Sequence, residues 1–146
     1  MNVDPQLDYF LDTNILVYAY DSTAGLKHSL ARLFVEACWE NENGCLSMQV
    51  LQEFFVTVTR KITKPLDHQT ARQIIADLAH WRLHTPDASD LLQAIDLQQS
   101  HQLAFWDAMV VQSAICLGCK QLLSEDLGHG QLYGEVRVVN PFKEDK

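Results

Sequence analysis

Four acidic residues stand at the edges of apolar runs in this chain, and together they describe an oxygen-rich metal site. They are Asp12 in Tyr-Phe-Leu-Asp-Thr-Asn, Glu53 in Val-Leu-Gln-Glu-Phe-Phe, Asp107 in Ala-Phe-Trp-Asp-Ala-Met-Val-Val, and Asp126 in Gln-Leu-Leu-Ser-Glu-Asp. A carboxylate beside core-forming sequence is costly to bury unless a positive or hydrogen-bonding group compensates it. Several converging on one spot repel one another, and a hard divalent cation is the usual remedy. The pattern predicts a metal site with an enzymatic purpose.

Each acid has a plainer reading to weigh against this one. Asp12 could cap a helix, but Asn14 is available as the cap, which favours a site role for Asp12. Asp107 could cap its own helix, yet it is sunk in apolar sequence on both sides. Glu53 taken alone is an ordinary half-exposed helical glutamate. Asp126 competes with Glu125, and only its spacing of two from Ser124 favours it.

Other chemistries find little support. No phosphate-cradling glycine loop is present, which disfavours a nucleotide cofactor. His80 and His84 have ligand-like spacing but straddle a helix end, so a surface role is expected for both. Ser124 has no histidine beside it in sequence, and a serine triad is unsupported. Cys116 and Cys119 show the two-residue gap of a zinc knuckle or redox motif. At a helix end, with Cys38 and Cys45 as the only others, all four read as reduced thiols filling small apolar spaces. Arg60, Lys61 and Lys64 form the densest basic cluster, and two readings stay open. They are a solvated helix end or contacts to a phosphate backbone.

The elements that must position these residues follow from hydrophobic period and punctuation. Short strands are expected at Leu7–Leu11, Cys45–Met48, Arg82–His84, Gln121–Ser124 and Val136–Val139. Helices are expected from Ile15 to about Tyr20, Lys27 to Glu42 (broken by Gly44) and Gln49 to Lys61. Another runs from Asp67 or Thr70 to Ala79, a further one starts near Pro86, and the last is Trp106–Leu117. A glycine-bearing loop covers Asp126–Gly134. Strands alternating with helices imply an α/β domain with a largely parallel sheet. Asp12 and Asp126 then fall just past strand ends, where such sheets bind ligands.

Length and charge fit one small enzyme. At 146 residues the chain is most simply a single domain spanning 1–146. No apolar run is long enough for a membrane span, and the N-terminus lacks a secretion signal, so the cytoplasm is the expected compartment. The net charge of −8 argues against tight, nonspecific binding of a polyanion. Two bound divalent ions would reduce it to −4, leaving room for local contacts through basic groups and metal.

The order of these motifs resembles the PIN-domain ribonucleases, particularly the VapC-like toxins of toxin–antitoxin pairs. Phe10-Leu-Asp-Thr-Asn-Ile-Leu-Val-Tyr, Gln52-Glu-Phe, Phe105-Trp-Asp-Ala-Met-Val and Leu123-Ser-Glu-Asp carry the resemblance, with Val136-Arg-Val-Val-Asn-Pro-Phe as a similar tail. It implies a three-layer α/β/α fold with a central parallel sheet of about five strands. It also implies Mg²⁺- or Mn²⁺-dependent cleavage of RNA that leaves 5′-phosphate and 3′-hydroxyl ends. Asp12, Glu53, Asp107 and Asp126 match the family's acidic quartet, and Asn14 and Ser124 its supporting polar positions. Asp12 and Asp107 would be central ligands; Glu53 would bind metal or orient water; Asp126 would complete the site directly or through water. An antitoxin protein and a second copy of the chain are the implied partners. The rivals are a catalytically silent module of the same fold that binds RNA or protein, and a different metal-dependent phosphotransfer enzyme.

Overall fold

Three buried residues, Tyr9–Leu11 (β1), form the central strand of a six-stranded sheet in the computed structural model, which describes residues 3–143. Strand β1 leads into helix α1 (Thr13–Tyr20), then α2 (Leu26–Asn41), β2 (Gly44–Ser47), α3 (Met48–Arg60), α4 (His68–Leu78) and β3 (Arg82–His84). Helices α5 (Ala88–His101) and α6 (Phe105–Cys116) follow, then β4 (Gln121–Leu123), β5 (Leu132–Tyr133) and β6 (Val136–Val139). The spatial order is β3-β2-β1-β4-β6-β5, parallel throughout except for the antiparallel β5–β6 pair.

That order explains where a site forms. The chain first winds outward from β1 through β2 to β3, then returns past β1 to lay down β4. Crossovers of this kind are right-handed, so the reversal assigns α1–α4 to one face and α5–α6 to the other. The result is a three-layer α/β/α domain. The winding direction changes between β1 and β4, and a crevice opens there at the carboxyl ends of the strands. Phe10 and Leu11 of β1 pair with Leu122 and Leu123 of β4, so Asp12 and Ser124 emerge side by side.

The core is apolar strand sequence sealed by helix faces. Phe10, Leu11, Leu46, Leu122, Leu123 and Val138 are fully buried, as are Ile15, Leu16, Val50, Phe54 and Val58 from the covering helices. Helix α6 is buried over every residue from Ala108 to Ala114, including the polar Gln112 and Ser113. Among the described residues, no helix is long and apolar enough to cross a membrane.

Several expectations need adjustment. The region read as a loop contains β5, whose two residues are too few to show a strand period, so the sheet has six strands. Helix α2 is not broken by Gly44: it ends at Asn41 with Glu42 in the left-handed region (φ 53°), and Gly44 opens β2. Glycine is needed there because a Cβ would stand 2.4 Å from the Trp81 ring. His80 is exposed as expected, but His84 is buried, with its ring bonded to Ser113 and Asp90. Burial beneath α5 and α6 overrides what its sequence neighbourhood suggests.

Candidate metal site at the strand switch point

Asp12 lies between β1 and α1. Its N–H donates to the Leu123 carbonyl at 2.9 Å, and its carboxylate accepts from the Thr13 N–H at 2.7 Å. The expected cap is Asn14, but Asp12 itself fills that position, because its extended backbone (φ −69°, ψ 160°) turns the carboxylate over the first turn. Asn14 lies inside the helix. Its amide donates to Asp126 Oδ2 at 3.0 Å and more weakly to Asp12 Oδ2 at 3.4 Å.

Ser124, fully buried, donates its hydroxyl to Asp12 Oδ2 at 2.8 Å. The same oxygen accepts the N–H groups of Asp126 and Leu127, and the Ser124 N–H is tied to Val139 of β6 at 3.0 Å. Ser124 and Asn14 therefore fix Asp12 and Asp126 against each other. Glu125 leaves the cluster: it accepts from the Tyr18 hydroxyl at 2.8 Å and pairs with Lys27. Asp126, and not Glu125, is the acid held beside Asn14 and Ser124.

Glu53 projects from the first half of α3 toward the same crevice. Its Oε1 accepts from the Thr13 hydroxyl at 3.0 Å and from Gln49 Nε2 at 3.2 Å. Gln49 also donates to the Trp106 carbonyl at 3.2 Å, which joins α3 to the first turn of α6. Asp107 sits in that turn, where the helix dipole favours an anion, but it caps nothing. The cap position is Ala104, without a side-chain bond, and among the described residues no hydrogen bond reaches the Asp107 carboxylate.

The electrostatics are those of crowded anions. Burial pushes the Asp12 carboxyl up to about 6, against the lowering effect of Ser124 and Thr13, and Asp107 and Asp126 push it further in the same direction. Asp107 is also raised, first by burial and then by Asp126 and Glu53. Among the described residues none of the four carboxylates forms an ion pair. No three of them come within 4.8 Å of one another.

A hard cation fits this donor set. The four carboxylates lack positive partners among the described residues, and Gln49 Oε1 is a buried acceptor with no hydrogen-bond donor. Asp12, Asp107, Glu53 and Asp126 are the residues that could hold Mg²⁺ or Mn²⁺. Arg60 lies two turns beyond Glu53 on the same face of α3, about 10 Å along the axis, with Lys61 and Lys64 following; all three are exposed.

Residues 9–135 match the model of the PIN domain family. The chain belongs to the PIN domain family. This PIN domain is also similar in fold to solved toxin structures. Mycobacterium tuberculosis VapC20, a Sarcin-Ricin loop cleaving toxin, superposes with a TM-score of 0.60 at 19% identity, over 79% of this chain and 87% of that one. A toxin–antitoxin complex from Klebsiella pneumoniae gives 0.70 at 18% identity, over 94% of this chain and all (100%) of the other. VapBC2 from Rickettsia felis, bound to a DNA fragment from its promoter, gives 0.63 at 18%, over 90% and 97%. No curated protein matches the chain in sequence.

Two features of this PIN domain have no clear signal in the sequence. Thr13 holds Glu53, although the only visible hint is its place beside Asp12. Tyr133 of β5 lies close enough to Asp107 for that charge to raise its phenol, after burial. Nothing in a two-residue strand announces it.

Proposed function

We propose that this PIN domain is a divalent-metal-dependent endoribonuclease and the toxin of a toxin–antitoxin pair. The observation that carries the reading is the set of four unpaired carboxylates at the β1/β4 switch point, with Asp107 free of any protein donor among the described residues. Asp12 and Asp107 are assigned as the central ligands of Mg²⁺ or Mn²⁺, with Glu53 and Asp126 completing the set. Held there, the cation would supply activation of water and charge compensation for the leaving oxygen.

The chain's own groups do the positioning. Ser124 and Asn14 fix the carboxylates of Asp12 and Asp126, and Thr13 and Gln49 fix Glu53, as supporting donors do around metal ligands. Gln49 Oε1 is left as a buried acceptor without a donor beside Glu53. Arg60, Lys61 and Lys64 serve as contacts for the RNA backbone on the flank of α3. They add local attraction that the acidic whole does not provide.

The toxin assignment rests on the fold neighbours, and a groove on the surface supports it. Between α3 and α4, Met48, Leu51, Phe55, Ile75 and Leu83 line an apolar depression of about 480 Å³. An antitoxin helix could lay its apolar face there. A homodimer acting in the cytoplasm completes the proposal.

The test is cleavage mapping on total RNA with Mg²⁺ or Mn²⁺. The parent protein should cut, a chelator should stop it, and Asp107→Asn should lower the rate about 100-fold or more, the upper end of what a missing supporting group costs a metal site. Full activity in folded Asp107→Asn would refute the assignment. RNA binding without cleavage by the parent would favour the silent-module reading.

A further inference from the structure

We infer that His84, Asp90 and Cys116 form a second metal site, selective for a borderline cation such as Zn²⁺ and separate from the acidic crevice. One ligand atom from each of these residues lies within 4.8 Å of the others, and they are the only such group among the described residues. They come from three elements: the end of β3, the first turn of α5 and the last turn of α6. Cys116 follows Asp107 by nine residues on one helix, about 13 Å along its axis. The two sites therefore do not share an ion.

The surroundings have the form of a supported site. His84 Nε2 stands 3.1 Å from Asp90 Oδ2, close to the separation of two ligands on one tetrahedral zinc, about 3.3 Å for bonds near 2.0–2.1 Å. Its other nitrogen is 2.8 Å from the buried Ser113 hydroxyl. Gln112 Nε2 donates to the second Asp90 oxygen at 3.1 Å. Metal-bound histidines and carboxylates are oriented by such outer partners, which also fix the histidine tautomer. Both polar residues of the otherwise apolar stretch of α6 are thus used on this one cluster.

The proton balance is simple. On binding, the Cys116 thiol loses its proton to solvent, and His84 binds as neutral imidazole through Nε2 while Nδ1–H donates to Ser113. The Asp90 carboxylate stays ionised. Cys116 is exposed at the helix end with its Sγ already within 4.8 Å of the other two ligand atoms, so water can take a fourth position. A nitrogen, oxygen and sulfur set suits Zn²⁺, whereas an all-carboxylate crevice suits Mg²⁺ or Mn²⁺. A Ser113–His84–Asp90 chain also has the outline of a serine triad. Ser113 is fully buried, however, with no route for a substrate. The cation would clasp the edge strand β3 to the α5–α6 layer.

Titration of metal-free, full-length protein with Co²⁺, and separately with Zn²⁺, tests this. Co²⁺ should give tetrahedral visible bands and a near-ultraviolet thiolate-to-cobalt band. Zn²⁺ should raise the melting temperature, because it binds the folded state preferentially. In Cys116→Ser, a change at an exposed position, the thiolate band should vanish and Zn²⁺ affinity should fall at least about tenfold. A parent protein without the thiolate band overturns the site, as does a band that persists in Cys116→Ser. A band without any Zn²⁺-induced rise in melting temperature also overturns it, since a lone thiol binds the unfolded chain equally well.

Discussion

The Ser124 hydroxyl donates to Asp12 Oδ2 at 2.8 Å across the paired ends of β1 and β4, a side-chain tie between the two strand ends at the crevice. Ser124→Ala removes that donor and also the acceptor of two backbone N–H groups. A hydrogen bond to a charged group is worth about 1.5–3 kcal/mol. The melting temperature of Ser124→Ala should therefore fall, and cleavage with it. Because Ser124 lowers the Asp12 carboxyl, the acid limb of the rate profile should move to higher pH. An unmoved limb in an active variant would show that Asp12 does not titrate in the rate.

Asp12 should make the metal-free protein less stable as pH rises. Its folded-state carboxyl is pushed up to about 6 from 3.8. The favourable contribution is complete below about pH 4 and is lost as pH rises through 6. The shift converts to roughly 3 kcal/mol as an upper bound. Asp12→Asn should abolish cleavage yet melt higher than the parent at pH 7 in chelator, with the gap closing toward pH 4. Melting curves of both proteins across that range are the measurement. Mg²⁺ should close the same gap at pH 7.

Thr13→Val and Gln49→Leu each remove one donor from Glu53 Oε1. Neither removes a carboxylate, so folding should be retained. Each should raise the Mn²⁺ concentration needed for half-maximal cleavage by about 10-fold, the lower part of the range for outer-shell partners. An unchanged metal dependence in both would take Glu53 out of the metal site.

Replacing Arg60, Lys61 and Lys64 together by alanine should weaken RNA binding without changing the cleavage sites. For every phosphate no longer neutralised, the salt slope should drop by about 0.7 on single-stranded RNA. Binding to a short oligonucleotide by the Asp107→Asn protein, with and without the three alanines and across salt concentrations, reads this directly. A slope identical to that of the unsubstituted surface would return these residues to the status of a solvated helix end.

The strand–helix order, the switch point and the place of each acid could be read from apolar runs and their polar endings. Asp107 stood out because it interrupts an apolar run, and its place in the first turn of α6 follows from that run. What stayed hidden depends on contacts between distant segments. Asn14, the expected cap, instead reaches 3.0 Å to Asp126 in the segment after β4, and Asp12 takes the cap position. The burial of His84 depends on Asp90 and Ser113, and β5 exists only by pairing with β6. None of these has a local period to read.

The anchoring of Ser124 by Val139 has an implication for synthesis. A ribosome makes this chain from its amino end, so β6 is the last strand of the sheet to emerge. Until then the Ser124 backbone lacks its neighbour, and the donor that orients Asp12 is not yet set. The strand ends that carry Asp12 and Ser124 therefore gain their last backbone neighbour only once β6 has docked.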